Sequence, residues 1–184
     1  MNDMIRVGGK LALICAVAAI ALGLVNAVTA PAIARVKAAQ LAAALDTVRG
    51  TSQAGAEIEV SGDEVVRGYY PLSSGAKAQG YILKLNAIGY GGDMELLVSY
   101  DYSGEIRLIA LMDNLETPGL GKEAEKPEYM EKFLGTGGDT DVPLSKQQLT
   151  QPQADSISGA SITFMGLAQA LHQGAGYVKE HLGN

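Results

Sequence analysis

The chain has one cysteine, no tryptophan and only two histidines among 184 residues, and each scarcity removes a class of function. Cys15 lies inside an apolar run, so the chain alone can close no disulfide and offers no thiolate set for zinc or an iron–sulfur cluster. His172 and His181 stand near the C-terminus without a carboxylate–histidine pattern of metal-ligand spacing, and they read as solvated or helix-face residues. No metal site is assigned. With no tryptophan and aromatic residues at 5%, an aromatic-lined platform for sugar or single-stranded nucleic acid is not expected. Basic residues are also scarce: 14 Lys+Arg against 20 Asp+Glu leave a net charge of -6. No basic surface is on offer, so nucleic acid is not expected as a partner.

What is abundant is small and apolar. From Leu11 to Ala34 no residue is charged, and as a helix this run reaches roughly 36 Å, enough for a hydrocarbon core of about 30 Å. A transmembrane helix is expected over 11–34, behind a tail at 1–10. Arg6 and Lys10 also resemble the basic region of a secretory signal, but the apolar run is longer than the usual signal core. Arg35 and Lys37 nearly balance Arg6 and Lys10, so charge alone does not orient the span. A short tail followed by a folded acidic domain favours the tail in the cytoplasm and the domain on the periplasmic or extracellular side of the cell membrane. Asn26, Thr29 and Pro31 are tolerable against neighbouring protein helices, and equally they can mark the membrane interface.

Residues 35–50 continue as an Ala-rich helical stalk, with Val36, Leu41, Leu45 and Val48 as its apolar stripe and Gly50 as its stop. A single α+β domain is expected over 51–184, with a mostly antiparallel sheet packed by helices. Strand character appears at 58–60, 64–70, 79–87, 95–102 and 105–112, and 101–105 reads as a hairpin turn. A short helix is expected over 127–133. A longer one runs from Ser161 or Ile162 to Leu182, with Ile162, Met165, Ala168, Leu171, Ala175, Val178 and Leu182 as its inward stripe.

Three runs carry possible chemistry. Asp155-Ser156-Ile157-Ser158-Gly159-Ala160-Ser161-Ile162-Thr163 feeds the last helix, where free N–H groups and the positive end of the helix dipole favour an anion such as phosphate. Its plainer reading is a serine N-cap in a tight turn. Glu116-Thr117-Pro118-Gly119-Leu120-Gly121 follows a strand and forms either a rigid turn or a loop whose amides face a ligand. Gly89-Tyr90-Gly91-Gly92 opens a strand as a turn or as a place where a ring approaches the backbone.

Together these runs resemble the FMN-binding domain family shared by the G subunit of the Rnf electron-transport complex and the C subunit of the sodium-translocating NADH:quinone oxidoreductase. In that family a flavin transferase reads aspartate, two variable residues, serine or threonine, glycine, alanine, then threonine or serine, and esterifies the last hydroxyl with FMN drawn from FAD. Asp155, Ser158, Gly159, Ala160 and Ser161 fill the pattern in order, with serine where the family usually has threonine. The resemblance therefore implies covalent FMN on Ser161. Thr163, a second nearby hydroxyl, caps or packs the helix. Glu116, Thr117, Gly119, Leu120 and Gly121 match the family's ETPGLG run, which the resemblance places beside the flavin. No residue is assigned a catalytic role, and turnover by the chain alone is not expected. The resemblance further implies an electron-transfer subunit in a complex that moves electrons between ferredoxin and NAD and couples them to ion translocation. Its partners would be the other membrane and peripheral subunits, the flavin transferase during maturation, and membrane lipid. The chain's length points to the Rnf type over the quinone-reductase type. The reading from a different class is a membrane-anchored, non-redox binding or assembly module.

Overall fold

The computed structural model describes residues 2–119, 121–157 and 159–183, with side chains from Ile5 onward. It divides into two compact units, Met1–Leu41 and Ala42–Asn184.

The first unit is the greater part of one helix, α1 (Asn2–Arg49), which runs without interruption through the expected tail, span and stalk. Pro31 does not break it. Ile5–Arg49 is long and apolar enough to cross a membrane, and its apolar side chains, such as Leu11, Ile20 and Val28, are exposed. Of the expected stalk stripe, Val36 is exposed, whereas Val48 and its neighbour Ala44 are buried. Gly50, at φ 55°, ends the helix in the left-handed conformation that a side chain disfavours.

The second unit is an antiparallel sheet under helices. Its strands are β1 (Gln53–Ala54), β2 (Ile58–Glu59), β3 (Val66–Ser74), β4 (Lys77–Ile88), β5 (Asp93–Tyr100) and β6 (Ile106–Asn114). The spatial order is β1-β3-β4-β5-β6, with β2 also on β3, and each pairing is antiparallel. Long β4 and β5 alternate little, because both faces of their central residues are covered: Ile82, Leu83, Leu96, Leu97 and Val98 are all buried.

Helix α4 (Ser161–Tyr177), prolonged by a wider π-type turn over Val178–Leu182, lies across this sheet. Its buried face is Phe164, Leu167, Ala168, Leu171, Gly174 and Ala175. That differs from the expected stripe, since Ile162 and Met165 are exposed. The face is set by close backbone approach rather than by the largest side chains. A Cβ on Gly166 would stand 2.0 Å from the Ile88 carbonyl oxygen, and one on Gly174 would stand 2.5 Å from the Tyr100 hydroxyl. The Tyr100 hydroxyl donates to Leu171 O at 3.0 Å. Short helices α2 (Pro127–Met130) and α3 (Gln151–Asp155), with 3-10 turns at Gly121–Glu125, Glu131–Phe133 and Lys146–Gln148, cover the remaining edge of the core. The turns before α3 carry capping boxes, Ser145 with Gln148 and Thr150 with Gln153.

Candidate functional site

In an antiparallel sheet the end of β4, the start of β5 and the end of β6 fall at one edge: Ile88 pairs with Asp93, and Met94 with Asn114. The start of α4 is held to the same edge by Gly166 on Ile88. Three loops therefore converge there. The Gly89–Gly92 turn, the run after β6 and the turn before α4 together line a cleft of about 410 Å³, formed by Tyr90, Glu116, Thr117, Gly121, Gly159, Ala160, Ser161, Ile162 and Thr163. That volume falls within the usual range for small-ligand pockets.

Glu116 organises the cleft wall. It is buried, at 3% exposure, and Gly91 N–H donates to its Oε1 at 3.1 Å. Its backbone N–H donates to Asn114 Oδ1 at 2.8 Å. Glycines make room for the carboxylate: a Cβ on Gly89 would lie 1.9 Å from Oε1, and one on Gly121 would lie 2.3 Å from Oε2. Glu116 also acts on a neighbour. Burial first, and the Glu116 charge second, push the Tyr129 phenol well above its ordinary range. Tyr129 is therefore neutral, and its hydroxyl, fully buried, has no hydrogen-bond partner among the described residues.

The opposite wall is the start of α4. Gly159, at φ 85°, makes the left-handed turn into it. The N-cap is Ala160, which has no side chain able to cap. Of the two serines that could be read as the N-cap, Ser158 lies outside the described residues, and Ser161 is not the cap: it is the first residue of the helix and is exposed at the cleft. The first N–H groups of α4 have no intrahelical acceptor, and with the helix dipole they make this a place for an anion. Among the described residues no side chain caps this N-terminus or bonds the Ser161 hydroxyl, which stands exposed at the first position of a 17-residue helix.

Of the residues singled out from the sequence, Ser161, Gly159, Ala160, Thr163, Glu116, Thr117 and Gly121 meet in this cleft. Thr163 is buried, at 1% exposure. Gly119 is an exposed turn glycine at φ 78° and is not part of the lining. Asp155 is also away from it: it ends α3, where its Oδ1 accepts from Gln151 Nε2 at 2.9 Å. Ser158 and Leu120 lie outside the described residues. The cleft adds Tyr90 and Ile162, which sequence reasoning did not assign to the site. Tyr90 was within reach, since it lies in the Gly-rich run already noted. Ile162 was assigned to the core by its spacing alone.

Comparison with known proteins gives this edge its meaning. A family model described as an FMN-binding domain matches residues 89–175, the span that contains all three loops. A second, described as the RnfG N-terminal region, matches residues 1–48. The G subunit of an ion-translocating oxidoreductase complex from Methanosarcina acetivorans is 34% identical over 133 residues, covering 70% of this chain and 67% of the relative. The chain belongs to the RnfG family. Within that family, the G subunit of a proton-translocating ferredoxin:NAD(+) oxidoreductase complex from Clostridium ljungdahlii is 25% identical over 173 residues, covering 94% of this chain and 90% of its own. The G subunit of the Na(+)-translocating complex from Acetobacterium woodii is 28% identical over 173 residues, 86% of this chain and 83% of its own. This RnfG-family chain is accordingly a membrane protein with an FMN-binding domain, and other subunits of such a complex are its partners.

The cleft fits FMN on its own features. It offers an anion-favouring helix start, glycines where a phosphate or ring needs close backbone approach, and the apolar side chains Tyr90 and Ile162 at its mouth.

Proposed function

We propose that this chain is the membrane-anchored electron-transfer subunit of an ion-translocating ferredoxin:NAD oxidoreductase complex, and that it carries FMN through a phosphoester on Ser161. The observation that carries the reading is the exposed Ser161 hydroxyl at an uncapped helix start, in one cleft with Glu116 and Thr117. When bound, FMN supplies the redox chemistry, taking up and giving back electrons.

The chain's residues do the rest. The first N–H groups of α4 stabilise the phosphate charge, and Gly159 brings the backbone close to it. In maturation by a flavin transferase, the Ser161 Oγ–phosphorus bond forms, the pyrophosphate bond of FAD breaks, AMP leaves and the hydroxyl proton passes to a base. Glu116, fixed by Gly91, presents a carboxylate to the cleft as an acceptor for polar hydrogens of the cofactor. Asp155 and Ser158 are, on this reading, recognition residues for the transferase rather than contacts of the bound cofactor, consistent with Asp155 standing outside the cleft.

On this reading the folded unit lies on the periplasmic or extracellular face and the tail with Arg6 and Lys10 in the cytoplasm, an orientation supported by a short tail before a folded acidic domain rather than by the balanced flanking charges. Lipid surrounds the exposed apolar residues of α1 that other subunits leave uncovered. The test is the assembled complex with Ser161→Ala in place of the parent chain. Ferredoxin-dependent NAD reduction should fall at least tenfold while subunit composition stays unchanged. Full activity in that complex would refute the reading.

A further inference from the structure

Among the described residues of the folded unit, the large apolar side chains most exposed to water are gathered at one edge. Ile88 is exposed by 71%, Tyr90 by 75%, Leu115 by 69%, Ile162 by 55% and Met165 by 54%, whereas the next, Ile58, reaches 43%. They come from three separate segments, and all stand around the cleft described above. Ile162 and Tyr90 line that cleft; Ile88, Ile162 and Met165 line a neighbouring groove of about 480 Å³ on the other side of Ile162. Leu115 flanks the Gly89–Gly92 turn, close to Gly92. Tyr90 and Ile162 belong to the cleft lining, whereas Ile88, Leu115 and Met165 stand outside it.

Such a concentration marks a surface that another molecule covers. The charge around it says which kind. Among the described residues neither the cleft nor the groove is lined by Lys or Arg; their charged residues are Glu116 and Glu64, and Asp93 pairs opposite Ile88. An acidic, freely diffusing electron carrier would meet like charge here and gain no steering. An apolar face with basic residues at its margin is complementary.

We propose that Ile88, Leu115 and Met165 form the docking surface for a redox-carrying neighbouring subunit of the same complex, one that presents an apolar face bordered by Lys or Arg. The proposal rests on the cleft being the FMN site. Electrons then pass across a dry contact at the edge from which the cofactor is reached, and burial of the rim excludes water from the path.

A photo-crosslinking side chain at position 165 in the assembled complex, with the product identified by mass spectrometry, tests the occupant. Capture of a cofactor-bearing subunit is expected. Capture of a second copy of this chain, or of lipid alone, overturns the proposal. Alongside it, Met165→Glu and Leu115→Glu are compared with Leu144→Glu, a control at a less exposed apolar residue. Both rim variants should keep the parent's FMN content by intact mass and its thermal midpoint. In the complex, their flavin should be reduced at least tenfold more slowly, or the chain should be lost from mild-detergent preparations. Unchanged rate and retention would contradict a docking role, and loss of FMN would assign the rim to the cofactor site instead. Retention and crosslinking do not depend on the cofactor. A parent chain without FMN therefore sinks the functional reading while the docking surface is still decided.

Discussion

Glu116 is a buried carboxylate whose one donor among the described residues is a backbone N–H, from Gly91, and it keeps its place because two glycines, Gly89 and Gly121, leave it room. Gly121→Ala would set a Cβ 2.3 Å from Oε2 and 2.7 Å from Glu116 Cβ. Side-chain displacement should cost about 1–3 kcal/mol in urea unfolding and lower FMN loading. Tyr129 poses the opposite case. Its hydroxyl is buried without a partner among the described residues, so Tyr129→Phe should stabilise the cofactor-free protein by about 1 kcal/mol or more, read as a raised denaturation midpoint. A destabilised variant would mean that the hydroxyl has a partner, such as a bound water. At this scale the sequence was informative about identity and silent about geometry. The Ser-Gly-Ala-Ser run, the ETPGLG run and the Gly-rich turn could each be read, but nothing local says that Glu116 turns inward to Gly91 while Asp155 turns outward to Gln151.

Helix α4 shows how an element's period can be right while its face is wrong. The three-and-four spacing predicts a helix over nearly the observed residues, yet the stripe included Ile162 and Met165 and passed over Phe164, Leu167 and Gly174. Large apolar residues left outside a helix face are expected where function overrides burial. Gly166 and Gly176 separate the two influences on this helix. Gly166→Ala would drive a Cβ onto the Ile88 carbonyl, where no flexible side chain can yield, and should lower stability by about 1–3 kcal/mol while weakening FMN loading. Gly176 has nothing within 4 Å, and Gly176→Ala should raise stability by about 0.5–1 kcal/mol through helix propensity alone. The β5–β6 hairpin depends on Asp101, whose carboxylate accepts from Ser103 N and Oγ, Glu105 N and Arg107 Nη2. Burial works to raise its pKa, but these donors outweigh it and hold the carboxyl below its usual value. The hairpin's contribution is therefore full above the unfolded value of about 3.9 and is lost as pH falls through the lowered folded value. Asp101→Asn should flatten that acid limb in a pH series of unfolding midpoints. The strands and this hairpin were legible from β-branched runs and turn residues. The short helix over 127–133 was legible too, but the turn at Lys146–Gln148 and helix α3 were not recognised, although Ser145-x-x-Gln148 and Thr150-x-x-Gln153 are capping-box signatures that announce them.

The whole molecule joins a membrane helix to a folded unit that begins within that helix. Ala44 and Val48 are buried in the second unit, although the same helix began as the apolar span. Removing residues 1–41 should release a folded, water-soluble unit from membranes. Removing residues 1–49 should lower its thermal midpoint by several degrees, because Val48 leaves a fully buried site. The apolar run and the domain class were plain in the sequence. The helical stalk up to Gly50 was plain as well; the extension of α1 back through the tail was not, because the charges at Arg6 and Lys10 suggest a boundary to a reader counting charge and not to a helix. Every part of the functional account converges on the hydroxyl at the start of α4. Intact mass of the parent chain and of Ser161→Ala, each produced with the flavin transferase, tests it most directly. The parent should gain the mass of FMN less one water and the variant should not; an unmodified parent, or a variant that still gains the mass, would rule out attachment at Ser161.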